Sequence, residues 1–189
     1  DGDYLTALAY CDSAIARWPK SRGGVDCANR KRTIQQTSID MTISDVSPAG
    51  RDILMRVATC NVEHLYYRVI RYPEWLKSYY KSDSEKRTRL LSEKVVKSWG
   101  QSFTLPKDYK FYKHYGYIPA LAPGHYILLA SPSKDFAREG FCMKAFNVSA
   151  AAFVLMSSPD DSVYGYVVDY ATGEPIARQK VQLQRSKNY

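Results

Sequence analysis

The stretch Ser38-Ile-Asp-Met-Thr-Ile-Ser-Asp-Val-Ser-Pro-Ala-Gly-Arg-Asp-Ile-Leu-Met-Arg-Val57 decides how the chain is read. Ile39, Met41 and Ile43 alternate with polar neighbours, Ser47-Pro48-Ala49-Gly50 turns, and Ile53, Met55 and Val57 alternate again. A period of two puts every second side chain on one face, the mark of a half-buried strand. Downstream, Leu65, Tyr67 and Val69 form another such run before Pro73, and strands resume over about 110–118, 124–131 and 141–148. That succession approaches the ~7 strands of an immunoglobulin-like antiparallel sandwich. Leu121-Ala-Pro-Gly-His-Tyr126 resembles the approach to a tyrosine corner, so Tyr126 reads as structural, as does Tyr67 within its strand.

Upstream of Ser38 the period is helical. Tyr4, Leu8, Cys11, Ile15 and Trp18 make one apolar stripe that Asp3 can cap and Pro19 stops. A second helix is expected over about 25–36, with Cys27, Arg30 or Lys31, and Ile34 on one face, so that 1–36 forms an αα-hairpin. Trp18 and Cys11 are its expected packing residues. A disulfide between Cys11 and Cys27 is compatible with this layout in an oxidising compartment; the alternative is that both are small buried packing groups.

Between the strands ending near 70 and those starting near 110, the pattern predicts a helical insertion over about 73–100. Leu91, Val95 and Trp99 recur every four residues, with Lys86, Arg87, Lys94 and Lys97 mostly on other faces. From Arg71 to Lys113 there are 11 Lys/Arg against five Asp/Glu, which supplies +6 of the net +8. Aromatic residues interleave with these charges, a mixture able to bind phosphates and stack bases, yet no nucleic-acid motif accompanies it. A solvated basic face is the expectation, and nucleic acid is not an expected partner.

The last forty residues start the alternation again. Strands are expected over about 152–156, 163–169 and 180–185, with Tyr170-Ala-Thr-Gly-Glu-Pro175 as the turn between the last two. Gly173 is expected to supply a positive φ there and Pro175 to fix the turn. The domain reading is 1–36 helical hairpin, 37–150 sandwich with insertion, and 151–189 the start of a second, incomplete sandwich.

Composition bounds the function. The chain has 189 residues, 45% hydrophobic and 24% charged, values of a globular protein. Its longest nearly uncharged run, Ala145 to Pro159, falls short of the ~20 residues of a membrane helix. It starts at Asp1-Gly-Asp without an initiator Met or a signal-like region, which reads as a piece of a longer protein. Cys11, Cys27, Cys60 and Cys142 have no C-x-x-C spacing, so no metal site is expected. Two Cys-His spacings stand out, Cys60 with His64 and Cys142 with His125; Cys60 and His64 lie at the ends of two apolar runs and read as a small buried thiol and a strand-end imidazole, and catalytic use of either pair is not expected. Asp160-Asp161 reads as a turn, and Gly23-Gly24 lacks the Lys-Ser/Thr of a phosphate loop. The expectation is a non-enzyme without cofactor.

Several segments carry a resemblance. Asp169-Tyr-Ala-Thr-Gly-Glu-Pro-Ile-Ala-Arg-Gln-Lys-Val-Gln-Leu183 resembles the D-x-x-T-G-x-P strand–turn–strand of macroglobulin-like domains in bacterial alpha-2-macroglobulin family proteins, with Val181 one place beyond that element's Val. Asn61 to Val69, Leu121 to Ser131 and the hairpin segment Cys11 to Gly24 resemble, in the same order, elements of that family as it occurs in Bacteroidetes-type bacteria. The resemblance implies a cell-envelope, periplasmic or secreted bacterial protein built as a string of sandwiches, with room for a lipid anchor upstream. Its parent would trap endopeptidases, many members doing so with an internal thioester, and this chain would be an N-terminal scaffold module. The implied partners are neighbouring domains of the same chain and, through the parent, target proteases. The thioester motif C-x-E-Q has no match around any of the four cysteines, so the family's functional residues carry over to no position here. A competing reading is a surface adhesion or glycan-binding module, motivated by 16 tyrosines and three tryptophans, since aromatic faces stack on sugar rings.

Overall fold

The computed structural model describes residues 2–78, 82–136, 141–157 and 163–181. The chain is mainly β with α: two N-terminal helices, then an immunoglobulin-like sandwich of two sheets, then a separate two-stranded ribbon. Helix α1 (Tyr4–Arg17) is capped by Asp3, whose carboxylate accepts from the Thr6 amide at 3.0 Å and from its hydroxyl at 2.6 Å. Those bonds hold the Asp3 carboxyl below its ordinary pKa. Helix α2 (Arg22–Gln35) begins one turn earlier than the apolar pattern suggests, because Ser21 caps it through the Gly24 amide at 3.0 Å. Leu8, Cys11, Gly24 and Ile34 are buried in the hairpin, and Lys31 pairs with Asp12 across it at 2.5 Å.

Trp18 departs from the expectation. It is 59% exposed, because at φ −137° and ψ 61° it has left the helix and the helical projection no longer places it on the apolar stripe. Its backbone does the structural work, accepting from the Ser21 amide at 3.2 Å and the Ser21 hydroxyl at 2.9 Å.

The sandwich contains β1 (Ser38–Ile43), β2 (Val46–Pro48), β3 (Ile53–Cys60), β4 (His64–Arg71), β5 (Val95–Ser102), β6 (Tyr112–Ile118), β7 (Gly124–Ser131) and β8 (Cys142–Ser149). One sheet has the order β1-β3-β6, the other β2-β8-β7-β4-β5. All pairs are antiparallel except β2 with β8, so the second sheet is mixed. Between the sheets lie Met55, Val57, Leu65, Tyr67, Tyr126 and Leu128, all essentially inaccessible. Burial pushes the Tyr67 hydroxyl far up, and its ring stacks on Trp99 at 5.0 Å.

The insertion is shorter than expected. Its helical part is a 3-10 turn (Glu74–Ser78) and α3 (Asp83–Leu91); Val95 to Ser102 is the edge strand β5. Recurrence every four residues is also a multiple of two, so Val95 and Trp99 fit a strand face as well as a helix face. The β-branched pair Val95-Val96 and the pairing Tyr67↔Trp99 decide for the strand.

The insertion builds a third layer. Strand β7 is buried on both faces: Tyr126, Leu128 and Ala130 point into the sandwich, while Ile127 and Leu129 meet Leu90 of α3, Phe136 and Phe141 in a second core. Basic residues expected on a solvated face are spent here. Arg87 lies over the Phe141 ring at 4.9 Å and donates to the Phe141 carbonyl at 2.5 Å; Arg89 lies over Trp75 at 4.3 Å.

Beyond β8, after the single residue Ala150, β9 (Ala151–Ser157) and β10 (Val163–Asp169) form an antiparallel ribbon separate from both sheets. The turn after it is built by Asp169, whose carboxylate accepts from the amides of Ala171 and Thr172, each at 2.9 Å, and is held below its ordinary pKa by them. Gly173 has φ 77°, and Pro175 bridges to Val168. The strand expected over 180–185 lies mostly outside the described residues; Lys180 and Val181 themselves are not in a strand. Asp160-Asp161 also lies outside them.

Candidate functional site

The place where unusual backbone, polar groups and open volume coincide is the junction of hairpin and sandwich. Asn61 and Tyr109 both have left-handed backbones, φ 57° and 58°, a region that bulky residues seldom occupy. Asn61 tolerates it and uses it: its side-chain amide donates to the Ile34 carbonyl at 2.8 Å and the Gln36 carbonyl at 3.0 Å, satisfying the C-terminal end of α2. One side chain of the sandwich therefore terminates a helix of the hairpin. Tyr109 is held by its neighbours: its carbonyl accepts from the Cys60 thiol at 3.3 Å, and Asp108 accepts from the Tyr112 hydroxyl at 2.6 Å and the Lys110 amide at 3.1 Å. These bonds lower the Asp108 pKa and raise that of Tyr112, while burial raises that of Cys60.

Tyr109 separates two half-open clefts. One, of about 430 Å³, is lined by Asn61, Glu63, Leu105, Lys107, Lys110 and Tyr112 among others. The other, of about 370 Å³, is lined by Tyr4, Arg30, Ile34, Cys60 and Phe111 among others. The chemistry of these linings is a mixed, net basic surface over apolar walls. It supplies contact area and hydrogen bonds for another polypeptide or for a ligand. Among the described residues no group of three or more His, Cys, Asp and Glu is arranged to hold a metal ion.

The residues singled out by sequence lie elsewhere and apart. Tyr126 is buried at the start of β7, and its hydroxyl donates to the Ala122 carbonyl at 2.9 Å. Tyr67 is in the central core, and Gly173 and Pro175 are exposed in the final turn. Cys11 and Cys27 face each other across the hairpin as thiols, and burial together with the adjoining Cys11 thiol pushes the Cys27 thiol up. Cys142 packs against the main core, and its thiol is pushed up to about 11, chiefly by burial. His64 bonds Ser102 at 2.7 Å and His125 stacks on Tyr72 at 4.0 Å, so neither imidazole serves a cysteine.

Sequence reasoning missed the role of Asn61 and Tyr109. Asn directly after a strand was the available signal for Asn61, since Asn is enriched at positive φ; nothing local marks Tyr109. Also missed was His114, which points into the core, stacks on Phe103 at 4.1 Å and leaves Nε2 without a partner among the described residues. Burial lowers its pKa.

No family model matches the chain, and no curated protein matches it. Among solved structures the chain is similar to native alpha-2-macroglobulin from Escherichia coli spanning domains MG0-NIE-MG1, with TM-score 0.48 and 16% identity. That match covers 73% of this chain and 47% of the other, so the chain spans about half the length of that structure. It is also similar to a CARDB domain from Pyrococcus furiosus solved in complex with di-metal ions, at TM-score 0.35 and 14% identity over 60% of this chain and 88% of that one. A third is the soluble domain of PmoD from a Methylocystis species, at TM-score 0.33 and 16% identity over 60% and 90%. At these scores and identities no residue role is transferred to this chain.

Proposed function

We propose that this chain is a non-catalytic scaffold module of an alpha-2-macroglobulin-like protein of the bacterial cell envelope, periplasmic or secreted, whose parent traps endopeptidases. The observation that carries this reading is the β9–β10 ribbon. It leaves the sandwich after one residue, tied back by the Tyr170 amide to Ala150 O at 2.9 Å and the Tyr170 hydroxyl to Val46 O at 3.2 Å. It exposes Leu155 on one face and Tyr164 and Tyr166 on the other. A two-stranded ribbon with both apolar faces open is marginal by itself, so it supports a module that continues into a packed neighbour. The ordered sequence resemblance over the hairpin, β4, β7 and the Asp169 turn supports the family and its Bacteroidetes-type branch.

The test uses the full-length parent, mixed with an endoprotease and assayed in parallel with a small chromogenic peptide and a large protein substrate. Retained cleavage of the peptide with loss of the protein substrate supports steric trapping. Equal cleavage of both by bound and free protease defeats the inhibitor reading for that protease.

A second reading has its own observation. Tyr115 and Tyr117, 65% and 62% exposed, stand side by side on the outer face of β6, opposite Arg56 and Leu54. Such a pair is a platform for stacking sugar rings. Binding of a soluble polysaccharide that Tyr115→Ala and Tyr117→Ala abolish would move adhesion to first place.

A further inference from the structure

Asn61 ties the end of α2 to the sandwich, and the two helices of the hairpin pack on each other. The turn that joins them is tight: at Gly24 an added Cβ would lie 2.0 Å from the Trp18 carbonyl oxygen. Deeper along the same interface, Cys11 is 7% exposed and Cys27 is half-buried, one turn before Lys31, the residue that pairs with Asp12 of α1. The other two cysteines are elsewhere, Cys60 against Tyr109 and Cys142 in β8. Across the packed pair of helices the Cys11 side chain lies within hydrogen-bonding reach of the Cys27 thiol.

We propose that Cys11 and Cys27 are a closable dithiol that locks the hairpin as an intramolecular disulfide, formed by exchange with a low-molecular-weight or protein disulfide of the glutathione or dithiol-oxidoreductase class. The more accessible Cys27 thiolate attacks one sulfur of the oxidant and expels its first thiolate, leaving a mixed disulfide. Cys11, deprotonated, attacks Cys27 Sγ and expels the second. One S–S bond forms, one S–S bond of the oxidant breaks, and the two protons lost by the cysteines are taken by the two released thiolates. The exchange is slow at neutral pH and faster as pH rises, because the attacking form is the Cys27 thiolate and desolvation beside Cys11 pushes the Cys27 thiol up. The two cysteines are 16 positions apart, and closing a loop of that order constrains the unfolded hairpin strongly.

The full chain, equilibrated in a series of reduced and oxidised glutathione mixtures, quenched with an alkylating agent and digested with trypsin, reads this out directly. The expected result is a linked pair of peptides, residues 1–17 with residues 23–30, while Cys60 and Cys142 are alkylated. Amide exchange in α1 and α2 should slow on the order of a hundredfold in the oxidised protein, with β7 unaffected. In Cys27→Ser the hairpin exchange should become independent of the redox mixture. Alkylation of both hairpin cysteines at every mixture, linkage of either to Cys60 or Cys142, or arrest at a glutathione adduct overturns the proposal. An oxidised hairpin that exchanges as fast as the reduced one overturns the locking role.

Discussion

Replacing Gly24 with Ala tests the close approach on which the hairpin rests, and the adjacent Gly23 is its control. A Cβ at Gly24 would fall 2.0 Å from the Trp18 carbonyl oxygen and 3.0 Å from its carbon, whereas real Cβ atoms stay beyond 3.0 Å, so α2 must move by about 1 Å or more. The same carbonyl accepts both bonds from Ser21, so the movement also disturbs the cap of α2. Burial of a Leu or Ile side chain contributes ~1.5–3 kcal/mol, and loosening the contacts of Leu8 and Ile34 by roughly half loses about 1.5–3 kcal/mol. The better helix propensity of Ala returns at most ~1 kcal/mol, leaving a net destabilisation of about 0.5–2 kcal/mol. At Gly23 the added Cβ meets nothing within 4 Å, so Gly23→Ala should stabilise by ~0.5–1 kcal/mol. Urea unfolding followed at 222 nm, with limited trypsin cleavage at Arg17, Lys20 and Arg22 as a local probe, measures both. Equal shifts for the two variants, or a Gly24→Ala protein as stable as the parent, would refute the reasoning.

Tyr126→Phe removes the bond to Ala122, whose carbonyl is on an exposed residue that water can reach, so the cost should be about 1 kcal/mol; Tyr126→Ala should cost about 3–5 kcal/mol, both read from urea midpoints. Asn61→Gly keeps the left-handed backbone and loses two hydrogen bonds, for about 1–2 kcal/mol, and Asn61→Ala should cost about 1 kcal/mol more because Ala resists φ 57°. Gly173→Val should destabilise the final turn by ~1 kcal/mol or more through its φ of 77° alone, since space around it is open; an unchanged melting midpoint and unchanged exchange at Thr172 would remove that assignment. Burial depresses the folded-state pKa of His114, so the unfolded chain binds its proton first. Stability is then full above the unfolded pKa of ~6.5 and falls as pH drops through the folded value, a slope that His114→Phe should flatten in melting curves between pH 7 and 5.

Much of the architecture was legible because it rests on local period. The hairpin stripe at Leu8 and Cys11, the strands around Met55, Leu65 and Leu128, and the turn at Tyr126 are each visible within ten residues of chain. The errors arose where two patterns coincide or where distance in sequence hides contact. Val95 and Trp99 satisfy both helix and strand spacing, and only pairing with Tyr67 separates them. Strand β2 is three residues ending in Pro48, short enough to pass for a turn. The second core draws Ile70, Leu90, Ile127 and Phe141 from separate segments, so the insertion reads as a solvated appendage until the fold is seen. The junction was the least legible part, because Asn61 and Tyr109 act through backbone conformation and through carbonyls far along the chain.

The short parallel pairing of β2 with β8 bears on how the chain responds to force. Two strands running the same way place the entry of β2 and the exit of β8 at opposite ends of their shared ladder. Tension applied between the hairpin and the ribbon therefore loads the rungs there together, the Asn147 amide on Asp45 and the Ala49 amide on Ser149 among them, rather than peeling them one after another. The sandwich should resist stretching along the chain as a clamp, while the ribbon, paired antiparallel and pulled from one end, unzips at lower load. A mechanical pull along the chain would open the ribbon first and leave the sandwich intact.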